Sequence, residues 1–507
     1  MSLSGPVHAR SLVIVMLVLG LLIQPGDSLA RRPHKEPCPF QRDPREALHT
    51  LKAIYQDSAR YEQGEIHETF LRMSRDALSF FKGAFPVFCE DLNDPKRPWS
   101  SEPRGPQALL LGEAHVMNLG TLRDGRGTLV LDFVRLDQSG PGPILIDLRR
   151  LLVSLVLLAD EIDADVTDIE SVLQETLKTY KEGLSFFCCN RMAGEFALSG
   201  QRGNPYVRRM LKSASSRTRT QLLDRWTVST SAGRRFRVDS ALARVSVDLL
   251  DAFAASLARM NLPCQRDGRF FAVKDGIHRV FKKKGAQGHE RVYLLVEGPS
   301  PDPDDDLILE ASITASSVLG HYFGGSGACG GGQARQTIEA ARKLRRCPEP
   351  YLGAVRIEQD EYLVQEVQPW LTHLSTEELT GLADLYDLAR ASGTLLARAH
   401  ALTAVKPDAL TAFVRGWERE ANQLESSLIH FAVFYSDQVH LDHVAFKKHV
   451  AVKPLLVVPV TKRSRHHRRR AAGSATRAAP SSPEPSVEAP MGTVTPKVRP
   501  SPAGDKR

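Results

Sequence analysis

The feature that most constrains the fold is a polar segment between apolar runs at residues 111–151, LGEAHVMNLGTLRDGRGTLVLDFVRLDQSGPGPILIDLRRL. Within it, acidic, imidazole and amide side chains follow one another closely: Glu113, His115, Asn118, Asp132 and Asp137. A solvated surface loop does not need polar groups packed between apolar runs in this way. Carboxylates and an amide so placed are typical of a site that handles a metal-bound phosphate.

The charge of the chain is concentrated at its C-terminal end. The net charge is +8, and residues 461–507 contain eleven Lys or Arg against three acids, which accounts for the whole excess. The rest of the chain is neutral overall, so specific nucleic-acid binding is not expected of the folded body. Residues 461–507 are rich in Pro, Ala and Ser and are predicted to be a disordered tail, with an anionic surface as a candidate partner.

The N-terminus has the pattern of an export signal. Arg10 is followed by a short apolar run at residues 11–23, and SLA at residues 28–30 fits a cleavage site after Ala30. An uncleaved anchor is the alternative. No later run approaches the roughly 18 apolar residues that a spanning helix needs, so no transmembrane segment is expected in the mature chain.

Hydrophobic periodicity predicts an α+β fold with a small antiparallel β lobe and a larger helical lobe. Helices are predicted at residues 44–92, 147–187, 238–260, 334–344 and 376–450, and strands at residues 108–111, 128–133, 270–273, 278–281, 291–298, 307–311 and 353–368. The organisation is a signal peptide (1–30), a leader (31–43), a body (44–460, with a helical lobe at 44–260, a β-rich lobe at 261–370 and a helical return at 371–460) and a tail (461–507).

Phosphoryl transfer requires few protein groups. It needs a carboxylate to orient the acceptor, an Asn and an Asp to hold metal, and a Lys with a Gly-rich loop to hold phosphates. Glu113 offers the carboxylate, and Asn118 follows five positions later. A short strand-turn-strand unit then leads to Asp132, which is the order of a kinase catalytic loop and metal loop.

The same segment resembles the bacterial family called domain of unknown function 2252. That family's pattern runs GDAHxxNFG, FDxNDFDE and GPxxWDLxRLxxS, against GEAHVMNLG, LDFVRLDQ and GPILIDLRRLLVS here. Further similar segments are FLRMSRDALSFFKGAF, RVYLLVEG, LILEASITASSVL, EYLVQEVQPW, SGTLLARAHA and FYSDQVHLDHVAF. Together these segments span about residues 70–446, nearly all of the body.

The resemblance implies a distant relation to protein kinases and aminoglycoside phosphotransferases, in a two-lobed fold that looks circularly permuted. The site that it implies has Glu113 and His115 as catalytic residues, Lys284, Gly285, Gly288 and Glu310 around a cofactor, and Asn118, Asp132 and Asp137 around a metal. If the protein is active, the implied cofactors are ATP and Mg²⁺, and nucleotide is a candidate ligand.

Three positions depart from the family pattern. Glu113 stands where the family has Asp, and Arg135 stands at the middle Asp of FDxNDFDE. A guanidinium cannot bind Mg²⁺, whose ligands are oxygens. Leu309 is taken to occupy the position of the phosphate-orienting Lys in LxxKEA. These departures make the segment better evidence for kinase-like ancestry than for kinase activity.

Several side chains have two interpretations. His115 is either a base or a structural residue of the loop, and Asn118 is either a metal ligand or a turn residue. Asp147 is expected to be an N-cap or a partner of Arg149 or Arg150. His400 is expected to lie in the core. The KKKGAQG turn either binds phosphate or is a solvated hairpin tip.

Three functions follow as expectations. The first is an exported, kinase-fold binding protein whose phosphotransferase activity is lost or strongly altered. The second is an active phosphotransferase with a rearranged metal and phosphate site. The third is binding to a polyanion or cell surface through the basic tail.

Overall fold

The structure is a computed structural model, and it describes residues 42–57, 63–101, 104–188, 191–231, 233–239, 242–260, 272–279, 291–314, 316–323 and 332–452. These residues belong to one compact unit. The predicted signal peptide, most of the predicted leader, the KKKGAQG segment and the predicted tail lie outside the described residues.

Helices account for most of the described chain. Their bounds are α1 (Pro44–Asp57), α2 (Gln63–Met73), α3 (Ala77–Gly83), α4 (Phe85–Asn93), α5 (Leu145–Glu161), α6 (Val166–Cys188), α7 (Pro205–Ser215), α8 (Arg219–Trp226), α9 (Val247–Leu257), α10 (Val318–Phe323), α11 (Gln333–Leu344), α12 (Leu382–Thr403), α13 (Pro407–Arg419) and α14 (Ala421–Val452).

The strands pair antiparallel throughout the described sheets. They are β1 (Gln107–Leu110), β2 (Leu119–Arg123), β3 (Leu129–Phe133), β4 (Gly140–Pro143), β5 (Leu198–Ser199), β6 (Thr227–Thr230), β7 (Gly233–Phe236), β8 (Leu242–Arg244), β9 (Val273–Arg279), β10 (Arg291–Val296), β11 (Leu307–Ile313), β12 (Gly353–Ile357), β13 (Asp360–Glu366) and β14 (Thr372–His373). The sheets have the orders β12-β13-β11-β10-β9-β8, β14-β2-β3-β5, β1-β4 and β6-β7.

Helix α5 is the central helix of the larger core. Every residue from Leu145 to Ala159 is buried. A helix that is apolar on nearly all sides must be covered on all sides, so it packs in the middle of its lobe. Because α5 begins right after β4, its N-terminus meets the polar segment between β1 and β2.

The six-stranded sheet has two different faces. Alternate residues of β11, Leu307, Leu309 and Ala311, are buried in a core that includes Phe253 and Leu257 of α9. The side chains between them point the other way because successive strand residues alternate faces. Ile308 on that second face is covered by a smaller cluster, whereas Glu310 and Ser312 face an open cleft.

The α+β class predicted from the sequence is confirmed, and three of the element predictions were wrong. The helix predicted at residues 238–260 begins only at Val247, because residues 242–244 pair with β9. The helix predicted at residues 147–187 is divided into α5 and α6 by a turn in which Asp163 has a φ of +54°. Strand β9 is continuous where the sequence predicted a turn between two strands.

Candidate functional site

Asp147 holds the start of the polar loop from within the core. Its carboxylate is fully buried and accepts hydrogen bonds from the backbone N–H of Leu111 (2.6 Å) and of Gly112 (3.1 Å). On the other side, Nε2 of His400 lies 3.3 Å from Asp147, and Nδ1 of His400 lies 2.7 Å from the Tyr180 hydroxyl. The expectation that Asp147 caps α5 was wrong, because Ile144 occupies the N-cap and Asp147 binds amides 35 and 36 residues away. His400 is fully buried, as expected.

Glu113 is held by two nitrogen groups. Nε2 of His115 lies 2.5 Å from its Oε2, and Nη2 of Arg150 lies 3.2 Å from the same oxygen. Burial alone would raise the pKa of Glu113, but the charge of Arg150 and the hydrogen bond from His115 outweigh it and hold that pKa well below its usual range. A carboxylate with a strongly lowered pKa is ionised but is a weak base.

His115 is neutral at pH 7. Burial lowers its pKa to about 4, although the bond to Glu113 opposes the shift. Its Nδ1 is buried and, among the residues that the structure describes, has no hydrogen-bond partner. The geometry therefore gives His115 a role in fixing Glu113, and a catalytic role stays a prediction.

Arg150 is a functional neighbour that the sequence analysis missed. Its side chain is fully buried, and its guanidinium lies 4.4 Å from the ring centre of Phe85 and 4.7 Å from that of Phe81. Aromatic faces attract a guanidinium and stabilise it away from water. The signal was present in the sequence, since an Arg in the middle of LIDLRRLLVSL on an all-apolar helix has no route to solvent.

Asn118 joins two loops. It is buried, and its Nδ2 donates to the carbonyl oxygens of Glu113 (2.8 Å) and Arg135 (3.0 Å). Its Oδ1 accepts from the backbone N–H of Arg135 at 2.8 Å. The amide thus fixes the loop after β3 against the Glu113 loop, and the metal-ligand role of Asn118 stays a prediction.

Asp132 and Asp137 line different cavities. Asp132 lies beside Arg345 and Asp124 in a small cavity, and Arg398 is 3.9 Å from its Oδ2. Burial raises the pKa of Asp132 even though Arg398 opposes that shift. Asp137 instead faces the large cleft. Within the described ranges, no group of three or more His, Cys, Asp or Glu side chains is arranged to hold a metal ion.

The large cleft lies between the six-stranded sheet and the loop after β3, and its volume is about 360 Å³. The carboxylates that line it each have an arginine beside them. These pairs are Arg135 with Asp137 (3.3 Å), Arg291 with Glu310 (3.6 Å), Arg345 with Glu349, and Arg219 with Glu366 (2.7 Å).

The register of β11 places Leu309 in the core and not at the cleft. Leu309 pairs with Leu294 and Glu366 and is fully buried under the sheet, so a Lys at this position would point away from the cleft. The neighbouring residue Glu310 faces the cleft, so β11 presents a carboxylate there. Three of the expected cofactor residues, Lys284, Gly285 and Gly288, lie outside the described residues.

Two further cleft residues were missed. Arg291 at the start of β10 was not singled out, although alternation along RVYLLV places it on the same face as Tyr293. His373 reaches the cleft because β14 pairs with β2, with His373 opposite Gly120. A two-residue strand has no sequence pattern that predicts its pairing partner, so the position of His373 at the cleft could not be predicted from the local sequence.

Among the described residues, no helix has both the length and the apolar character needed to cross a membrane.

Comparisons with known proteins give one match. Neither the curated proteins nor the solved structures include a match to the chain. The model of a family described as an uncharacterized protein conserved in bacteria (DUF2252) matches residues 63–449. This match covers well over half of the 507 residues, and the chain therefore belongs to the DUF2252 family.

Proposed function

We propose that this protein is a binding protein that uses the cleft of a kinase-like fold, and that its phosphotransferase activity is lost or strongly altered. The observation that carries the proposal is the pairing of the cleft carboxylates with arginines, from Arg135–Asp137 to Arg219–Glu366. Mg²⁺ binds through oxygen ligands that are free to approach it closely. In this cleft a metal ion must first displace guanidinium groups.

The charges at two positions support the same proposal. Arg135 presents a cation where the family pattern has an Asp, and Glu310 presents a carboxylate at the cleft face of β11, where phosphate binding would need a cation. These two charges disfavour a Mg²⁺ ion that bridges to phosphate, because Arg135 repels the metal ion and Glu310 repels the phosphate.

An active phosphotransferase with a rearranged site is the second candidate. In that mechanism Glu113 would be the base, Asn118 with Asp132 or Asp137 would hold the metal, and Arg135 or the KKKGAQG turn would clamp the phosphate. One observation favours it: Asn118 is bonded to the backbone of both Glu113 and Arg135, which keeps these groups in one place.

A thermal-shift measurement with ATP and either Mg²⁺ or Mn²⁺ separates the two candidates, combined with an assay for transfer of the ATP γ-phosphate. For the purified mature chain we expect no metal-dependent rise in Tm and no transfer. A metal-dependent rise that is lost in Asn118→Ala, together with γ-phosphate transfer that is lost in Glu113→Gln, would establish the enzyme instead.

We also propose that the chain is exported and cleaved after Ala30. The support is the sequence pattern at residues 10–30, with its basic residue, short apolar run and small residues before the cleavage site. N-terminal sequencing of the protein recovered from outside the bacterial cytoplasm should begin at Arg31. A chain that keeps residues 1–30 in the membrane fraction would show an uncleaved anchor.

A further inference from the structure

Three nitrogen-bearing side chains from three separate elements lie at or beside the cleft. Arg135 follows β3, His373 lies on β14, and both line the cleft. Lys82 lies in the last turn of α3, where its carbonyl oxygen accepts from the Arg150 guanidinium at 3.2 Å. The same guanidinium holds Glu113, and Asn118 ties the Glu113 loop to Arg135. The charge of Lys82 acts on both Arg135 and His373. The charges of the ammonium and the guanidinium have to be balanced where the fold brings them together beside the imidazole.

The nearby carboxylates do not complete that balance. Glu113 is held by Arg150 and His115, both on one oxygen, and Asp137 is held by Arg135. Glu310, whose charge also acts on Arg135, pairs with Arg291 at 3.6 Å. Among the described residues, the ammonium of Lys82 has no hydrogen bond or ion pair with a side chain. Burial and the charge of Arg135 lower the pKa of Lys82, which is half-buried.

The other two groups are also open to a ligand. Partial burial and the charges of Lys82 and Arg135 lower the pKa of His373, which keeps the ring neutral and able to donate one N–H at pH 7. The Arg135 side chain is 52 % exposed, and its contacts with Asp137 are long, at 3.3 Å each. A guanidinium in this state has donors left for a second acceptor.

We propose that Lys82, Arg135 and His373 form a binding site for an oxyanion group, a phosphate or a carboxylate, carried by the ligand of the cleft. The inference rests on the proposed function, in which the cleft binds a ligand and does not transfer phosphate. Charge-assisted hydrogen bonds from an ammonium and a guanidinium are the strong contacts that such a group makes in proteins. An oxyanion also removes the repulsion between the Lys82 and Arg135 side chains.

Isothermal titration calorimetry of the full mature chain tests the site, with inorganic phosphate and succinate as the two probes at constant ionic strength. We expect saturable binding of at least one probe, and the preferred probe identifies the group as phosphate or carboxylate. Lys82→Gln should weaken binding about tenfold or more, the usual effect of losing one charged hydrogen bond. Lys82→Arg should retain most of the affinity.

The control is Lys178→Gln, which removes an exposed lysine from α6 and should leave binding unchanged. His373→Gln offers a second variant at the site should Lys82→Gln fail to fold. Absence of saturable binding to either probe would overturn the site, as would equal losses in Lys82→Gln and Lys178→Gln. If γ-phosphate transfer is found while Lys82→Gln still weakens phosphate binding, the proposed function fails and the oxyanion site stands.

Discussion

Two sets of charged side chains in this protein have the same chemistry and opposite surroundings. In the first set Arg42 lies between Asp91 and Asp442, and all three side chains are at most 2 % exposed. In the second set, at the cleft, the Arg135 and Asp137 side chains are 52 % and 26 % exposed. The polar atoms of a buried ion pair need hydrogen-bond or ion-pair partners within the protein. In a half-exposed ion pair, one side chain can leave the other and bind a ligand instead.

The bonds around each set express this difference. The Tyr435 hydroxyl donates to Asp91 at 2.8 Å, and Nε2 of Gln438 donates to Asp442 at 2.9 Å. Arg42 thereby joins the chain just before α1 to α4 and α14. Arg135 makes only two side-chain contacts of 3.3 Å with Asp137. The first set therefore holds the fold together, and the second leaves donors for binding.

The largest effect is expected from Arg42→Met, which removes the cation that lies between the two buried carboxylates. Among the described residues, Asp442 then has no cation, while Asp91 keeps only Arg97 at 3.4 Å. Removal of one partner from a buried ion pair costs about 3–5 kcal/mol. Urea denaturation should show a loss of this size in the free energy of unfolding. The matched variant Arg135→Met should cost under about 1 kcal/mol. Similar losses in the two variants would remove the distinction between the sets.

The pH dependence of stability gives the next largest effect. Burial raises the pKa of Asp442 from 3.8 to about 7, although Arg42 opposes the shift. Because the folded state holds this proton more tightly than the unfolded state, Asp442 lowers the stability as pH rises from about 4 to 7, and its contribution is constant above 7.

Asp442→Asn removes that titration. The difference in unfolding free energy between Asp442→Asn and the parent chain should grow by a few kcal/mol from pH 4 to pH 7 and then level off. The same comparison for Asp137→Asn, at the exposed set, serves as the control. A constant difference across pH 4–7 for Asp442→Asn would mean that burial does not control this carboxyl group.

Sequence periodicity predicted the α+β class and most long elements because apolar spacing reports directly on burial. It failed where pairing partners are distant or unusual. Strand β4 is GPGP, and its pairing with β1 contradicts the low strand propensity of Gly and Pro. Asp147 gave no local sign that it binds the amides of Leu111 and Gly112, since three strands separate it from those amides along the chain.

The sequence did not predict the contacts among the candidate site residues. The sequence singled out Glu113 and Asn118, and the structure joins them through the Asn118 amide. It did not connect Arg150 to Glu113: the apolar run around Arg150 indicated burial, but the contact with Glu113 depends on tertiary packing. Glu310 illustrates an avoidable error: alternation from Leu307 along β11 already places Glu310, and not Leu309, on the face opposite the core.

Asp147→Asn should have an intermediate effect. The Asn side chain has one oxygen, so it cannot accept from the N–H groups of Leu111 and Gly112 with two separate oxygens as Asp147 does. We expect a loss of about 1–3 kcal/mol in unfolding free energy, the cost of a buried group left unsatisfied. Faster hydrogen exchange at the amides of residues 111 and 112 would locate the effect, and unchanged exchange there would contradict it.

The smallest effect is expected at Arg291 and Glu310 on adjacent strands of the cleft wall. Their closest atoms are 3.6 Å apart, and the Arg291 side chain is 51 % exposed. A double-mutant cycle with Arg291→Gln and Glu310→Gln should give a coupling under about 1 kcal/mol by urea denaturation. A coupling as large as that of a buried pair would mean that the cleft charges stabilise the fold as the Arg42 set does. Both sets would then be structural. The cleft arginines would not be free to bind a ligand, and ligand binding at the cleft would have no physical basis.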